Sequence, residues 1–323
     1  MNTKVTIVMY HYVRDLKNSR FPEIKGLDIN LFKGQIAYLK KHYNFITMEE
    51  LIDAIDNKTS LPPKAVLLTF DDAYIDHYTH VFPVLVENNI QGSFYPPVKA
   101  ITEHTVLDVN KIHFMLASCE DKAKLVKDIF NLLDKYRSEF NLQENDYYYK
   151  KLAVANRFDV AEVIFIKRVL QVELEERLRN RITNILFQQY IGISESAFSR
   201  ELYMSIDQIK TLKKFGMHIG SHGYDHYWLS SLSKSAQENE IKKSLDFLKN
   251  IGVDIDSWTM CYPYGDYNDD TLSILSENGC KAGFCTNVNV ADINIENRFT
   301  FSRLDTNDLP KDEYAGVNEF YKI

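Results

Sequence analysis

The 323-residue sequence predicts an α/β fold: a distorted or incomplete (β/α) barrel of about seven parallel strands with a helical insertion. Short apolar runs alternate with helical periods through residues 4–104, and the same alternation resumes from Ser205. Between residues 105 and 200 it lapses into a stretch rich in Leu, Lys, Glu and Ile at helical spacing. No Gly/Ser-rich linker flanks that stretch, so the expected division is a barrel from residues 1–104 and 201–323 and an insertion from 105–200.

The run from Val5 to Tyr12 reads as a first buried strand. Ile29 to His42 follows as a helix, with Leu31, Phe32, Ile36 and Leu39 on one stripe. Thr47 and Glu50 have capping-box spacing before a helix from Met48 to Asn57. Strand Ala65–Phe70, helix Tyr74–Asn88 and strand Gly92–Tyr95 complete the first half. The insertion predicts helices at Lys111–Ala117, Ala123–Phe140, Tyr147–Asn156 and Ala161–Tyr190, the last long and charged on its outside, a surface helix or a helical hairpin arm. Helices at Ile206–Phe215, Ser235–Asn250 and Asn268–Asn278 then alternate with strands at Met217–Ser221, Trp258–Tyr262 and Ala282–Thr286.

Hydrophobic residues at 45% and charged residues at 26% are those of an ordinary globular chain. A net charge of −7 argues against nucleic acid or anionic lipid as main partner, because both reward clustered cations. Cys119, Cys261, Cys280 and Cys285 form no even framework and no CxxC, which fits a reducing compartment. The Val5–Met9 run is too brief for a signal h-region, and no run of 18 apolar residues exists to span a membrane. The expectation is a cytoplasmic protein.

The most informative residues are two pairs, Asp71-Asp72 and His222/His226, each directly after a strand-like run. One carboxylate and two imidazoles make a three-ligand metal set that leaves a position for water, and the second carboxylate can take that water's proton. Adjacent acids alone are more often solvated surface or a helix cap, and paired histidines more often packing. The coincidence of both sets at strand ends, where α/β folds place their sites, favours chemistry.

Thr69-Phe70-Asp71-Asp72, His222-x-x-x-His226 and Tyr262-Pro263-Tyr264-Gly265, in this order, resemble the first three motifs of polysaccharide deacetylases, the NodB-homology group or carbohydrate esterase family 4. Met9-Tyr10-His11-Tyr12-Val13 and Phe45 to Leu51 are similar to N-terminal stretches of that family, and the whole resemblance covers residues 4–104 and 201–305. It implies that Asp72, His222 and His226 bind a divalent metal, Zn2+ first with Co2+ or Ni2+ acceptable, that Asp71 is the general base, and that the Tyr264 backbone N–H stabilises the oxyanion.

Three departures stand out. Ala73 occupies a position where the family often has Gly, a mild change if a helix starts there. Cys261 stands where many members carry an Arg that orients the base; branches with Ala or Cys there exist, which puts the chain in a Tyr-Pro-Tyr-Gly subgroup. Arg303, on an expected late strand, is a candidate to supply that cation to Asp71, the alternative being a surface ion pair. The C-terminal Leu-x-His motif has no match, since no His follows His226. His11 is then a candidate to bind substrate or protonate the leaving nitrogen, the alternative being a satisfied core histidine. His218 reads as structural, and His77 and His80 as surface or packing.

The expected function is metal-dependent removal of an N-acetyl group from an amino sugar in a polysaccharide, a lipid-linked glycan or a glycan precursor. Alternatives are a deformylase or other amide hydrolase of the same family, a carbohydrate-binding pseudoenzyme, or a scaffold acting through the insertion. That insertion is expected to cover the mouth of the barrel or to mediate homo-oligomerisation.

Overall fold

Parallel pairing organises the computed structural model, which describes residues 2–155 and 159–318. Strand Ala65–Asp71, buried at every position, lies between Lys4–Tyr10 and Gly92–Tyr95, and Gly92–Tyr95 pairs with His218–Ile219. Burial on both faces is why these strands read as continuous apolar runs. The parallel series continues through a Ser221–Met260 bridge into the pair Thr259–Cys261 and Ala282–Phe284. A Phe284–Phe301 bridge and Leu304–Asp305, which pairs with Lys4–Tyr10, bring it back to the first strand. Closure therefore runs through two- and three-residue strands and isolated bridges, and this makes the barrel distorted. The short strand Ala291–Asp292 is the exception in direction, antiparallel to Lys4–Tyr10.

The core inside this ring comprises Val5, Ile7, Leu67, Tyr95, Cys261, Phe284 and Phe301, packed against Met48 and Leu51. Each large apolar side chain fully buried there contributes roughly 1.5–3 kcal/mol. Met48–Asn57 begins with the expected capping box, Thr47 Oγ1 accepting from the Glu50 N–H and Glu50 from the Thr47 N–H. Ile29–His42 buries Phe32, Ile36 and Leu39 with Gln35 and Tyr38, but Leu31 is exposed, one position off the stripe.

Two expected helices differ in detail. The segment after Asp71 does not turn helical at Ala73, because Asp72 and Ala73 both have left-handed φ values of 71° and 50°. A wide turn, His77–Val81, precedes the regular helix Phe82–Glu87, and Pro83, which has no N–H to donate, lies at the junction. The stretch expected at Ala161–Tyr190 as one surface helix or a helical hairpin is two helices: Ala161–Arg168, which runs on through the wide turn Val169–Glu173, and Glu176–Ile191. Its apolar stripe changes phase. Phe165 and Val169 are buried, yet the next positions of that stripe are exposed Val172 and acidic Glu173 and Glu176, whereas Leu178, Ile182 and Leu186 define a new face. The chain breaks at extended Leu174 to bury both faces.

Contacts divide the chain into two compact units, 1–15, 26–104 and 199–323 in one, 16–25 and 105–198 in the other. The second has its own core of helices, including Asp108–Ser118, Lys122–Phe140 and Glu176–Ile191. Phe21, from the early loop, joins it by edge-on contacts to Phe114 (4.9 Å) and Phe198 (5.9 Å). Asn145–Leu152 is the helix expected to reach Asn156, a residue outside the described ones. Among the described residues, no helix is long and apolar enough to cross a membrane.

Candidate active site

Strand Ala65–Asp71 ends on its own first acid, and the left-handed φ of the next residue turns Asp72 out of strand geometry while its N–H donates to the Tyr95 carbonyl (3.1 Å). A Gly favours such a conformation; Ala73, also left-handed, adopts it at a cost in strain. Both carboxylates are buried.

The histidine loop leaves its strand through Gly220. A Cβ at that position would overlap the Tyr95 ring and come within 2.8 Å of Thr259 Oγ1, so only glycine permits this approach. Beyond it, Asp72, His222 and His226 each offer one ligand atom, all within 4.8 Å of one another. Asp72 Oδ1 lies 3.4 Å from His222 Nε2 and 3.3 Å from His226 Nε2, is buried, and accepts no hydrogen bond. Its other oxygen takes the Tyr74 hydroxyl at 2.6 Å. His222 Nδ1 is 2.7 Å from the Cys261 carbonyl, which can only accept, so Nδ1 carries a proton and Nε2 is the ring atom turned toward Asp72. Electron-pair donors converging on one buried spot, with an orphaned carboxylate oxygen among them, fit a divalent cation.

Asp71 is held by Arg303. The guanidinium is wholly buried: Nη1 donates to Asp71 Oδ1 (3.0 Å) and Thr69 Oγ1 (3.1 Å), Nη2 lies 2.8 Å from Asp71 Oδ2, and Nε donates to the Cys285 carbonyl (2.9 Å). Burial pushes the Asp71 carboxyl up, but Arg303, with His222 and His11, outweighs it and holds the group at about 2. Cys261 Sγ lies 3.2 Å from Arg303 Nη1, and burial keeps its thiol well above the usual range and therefore protonated. The late-strand Arg thus reaches the carboxylate beside Cys261.

His11 is not a core residue. Its side chain is 42% exposed, and Nε2 is 3.9 Å from Asp71 Oδ2. Tyr264 sits in the Pro263–Gly265 turn at φ 58°, its ring edge-on to His226 at 4.7 Å and stacked on Trp228 at 4.4 Å. His218 contacts Thr259 Oγ1 at 2.8 Å, and His80 is half-buried. His77 is fully buried in a ring of Phe70, Tyr74 and Phe94, with Nε2 2.7 Å from the His11 carbonyl.

Sequence reasoning passed over Tyr74, Thr69 and the role of His77. Tyr74 stood two residues from the aspartate pair, a usable signal; the others depend on contacts between distant strands.

The polysaccharide deacetylase family profile matches residues 150–283, a span with both histidines and the Tyr-Pro-Tyr-Gly turn but without the aspartate pair. The poly-beta-1,6-N-acetyl-D-glucosamine N-deacetylase of Escherichia coli (strain K12) is 34% identical over 80 residues, 24% of this chain and only 12% of that protein. Two solved structures share the fold: the Streptococcus pyogenes deacetylase PplD in complex with acetate (19% identity, TM-score 0.59, 96% of each chain) and IcaB from Ammonifex degensii (19%, TM-score 0.54, 94% of this chain and 92% of that one).

Proposed function

Since the chain belongs to the polysaccharide deacetylase family, we propose that it is a metal-dependent hydrolase that removes an N-acetyl group from an amino sugar in a glycan. The observation that carries this reading is the convergence of the orphaned Asp72 oxygen and two imidazoles, with the ionised Asp71 as the preceding residue at the same strand end. Asp72, His222 and His226 would hold the ion, and two nitrogens with one carboxylate oxygen suit zinc, with cobalt or nickel as substitutes. A divalent ion bound there supplies Lewis acidity, polarising the amide carbonyl and acidifying a water.

The protein's own groups do the rest. Asp71 takes a proton from the attacking water as its oxygen bonds the carbonyl carbon, and Arg303 keeps that carboxylate ionised and aimed. The Tyr264 backbone N–H donates to the oxygen that gains charge. As the C–N bond breaks, its electron pair passes to the sugar nitrogen, which receives a proton from His11; acetate and a free amine leave. His77 keeps His11 at the cleft by holding its carbonyl.

The test is acetate release from β-1,6-linked N-acetylglucosamine oligomers, with and without chelator. Wild type should release acetate only when metal-loaded, and Asp71→Asn should be slower by about 10²-fold or more. Acetate release that survives both chelation and Asp71→Asn would overturn the proposal.

A further inference from the structure

Of the three consecutive backbone N–H groups between the two histidines, two donate directly to one helix and the third reaches it through Ser221. Gly223 N–H donates to Ser221 Oγ (3.2 Å), itself 2.7 Å from Ser244 Oγ, and the Tyr224 and Asp225 N–H groups donate to Glu240 Oε2 (3.2 and 2.8 Å). Glu240 and Ser244 lie one turn apart on the helix Lys234–Asn250. On the loop's other side, the Gly223 and Tyr224 carbonyls accept from the Val98 and Lys99 N–H groups (3.4 and 2.8 Å), and Lys99 Nζ pairs with the Asp225 carboxylate.

The two histidines differ in what aims them. His222 has its ring fixed through Nδ1 to the Cys261 carbonyl, whereas His226 Nδ1 is buried without a hydrogen-bond partner. The direction of His226 must therefore come from the backbone that carries it, which is left-handed at Gly223 (φ 73°) and at His226 itself (φ 56°). Glu240 is 5% exposed, and burial pushes its carboxyl up. A carboxylate is costly in such a place unless it answers donors, and here the donors are the loop's own amides.

We propose that Glu240 is a positioning residue for His226, holding the loop so that the imidazole meets Asp72 and His222, with Lys99 as a second clamp. This rests on the metal-hydrolase reading. Ligands aimed by outer partners lose roughly 10- to 100-fold in metal affinity when the partner is removed.

The experiment measures Zn2+ affinity by chelator competition and the visible spectrum of the Co2+-loaded protein for wild type, Glu240→Leu, Glu240→Gln, Lys99→Met and His222→Ala. Glu240→Leu should bind zinc about 10- to 100-fold more weakly, with an altered cobalt spectrum. Glu240→Gln, which keeps an acceptor oxygen, should stay near wild type, and Lys99→Met should weaken binding less. Wild type that binds no metal, or His222→Ala that binds as well as wild type, sinks the metal reading itself. A folded Glu240→Leu with wild-type affinity and spectrum sinks only the positioning role. If Glu240→Leu does not fold, Lys99→Met decides, and unchanged affinity and spectrum there overturn the proposal.

Discussion

At the scale of single residues, Arg303 decides the state of the proposed base. Two effects oppose each other at Asp71: burial favours the neutral acid, and the guanidinium favours the carboxylate and wins. With Arg303→Met only the upward push remains strong, so the acid limb of kcat/KM should move to higher pH and kcat should fall by on the order of 10²-fold. An unpaired buried carboxylate also costs about 3–5 kcal/mol, so the variant is compared with wild type below its own melting temperature. A pH profile identical to wild type would remove Arg303 from the mechanism. His77 gives a second pH effect of opposite chemistry. Burial lowers it to about 4, so the unfolded chain takes up a proton before the folded one as pH falls. Its stabilisation is complete above about 6.5 and declines by about 1.4 kcal/mol per pH unit down toward 4. Denaturant melts at pH 7, 5.5 and 4.5 should show this decline, and His77→Gln should flatten it; an equal slope in both proteins refutes the assignment.

At the scale of elements, the histidine loop depends on a close approach rather than on a contact. Gly220→Ala should destabilise the fold by about 1–3 kcal/mol and weaken metal binding, since the new methyl displaces either Tyr95 or the strand that leads to His222. A calorimetric melt with parallel zinc titration checks both, and an alanine variant indistinguishable from wild type would mean the strand accommodates the methyl without moving the loop. The same scale separates what could be read from the chain from what could not. Strands such as Ala65–Asp71 and caps such as Thr47–Glu50 are local patterns, set by burial on both faces and by residues three apart, and they stood in the sequence. So did the two acids and two histidines, because strand ends carry them. The break at Leu174 also left a trace in the phase of the apolar stripe, which decides between the single surface helix and the helical hairpin arm that the charged pattern left open. The pairing of Arg303 with Asp71 was a candidate only through the family resemblance, whereas the His77–His11 contact and the clustering of Leu16–Lys25 with the helical unit left no trace. Each joins residues far apart in the chain, and one sequence without its relatives gives no sign of such pairs.

For the molecule as a whole, the proposed ligands tie together distant parts of the chain. Asp72 comes from the strand beside the first, whereas His222 and His226 follow the strand entered only after the helical unit has been traversed. The unfolded chain has no reason to hold these three atoms together, so a cation that binds the folded arrangement alone must stabilise the entire barrel unit. At a free zinc concentration one hundred times its dissociation constant the gain is about 2.7 kcal/mol, which for a protein of this size corresponds to a rise in Tm on the order of 4 °C. Chelator should remove that rise. Asp72→Asn and His222→Ala should lack it from the start, whereas Asp71→Asn should keep it, because Asp71 is assigned to the proton and not to the metal. This last contrast divides the two carboxylates by a thermal melt alone, without a substrate. Loss of the zinc-dependent shift in Asp71→Asn would reverse the assignment of the pair, and a shift that persists in His222→Ala would place the ion elsewhere.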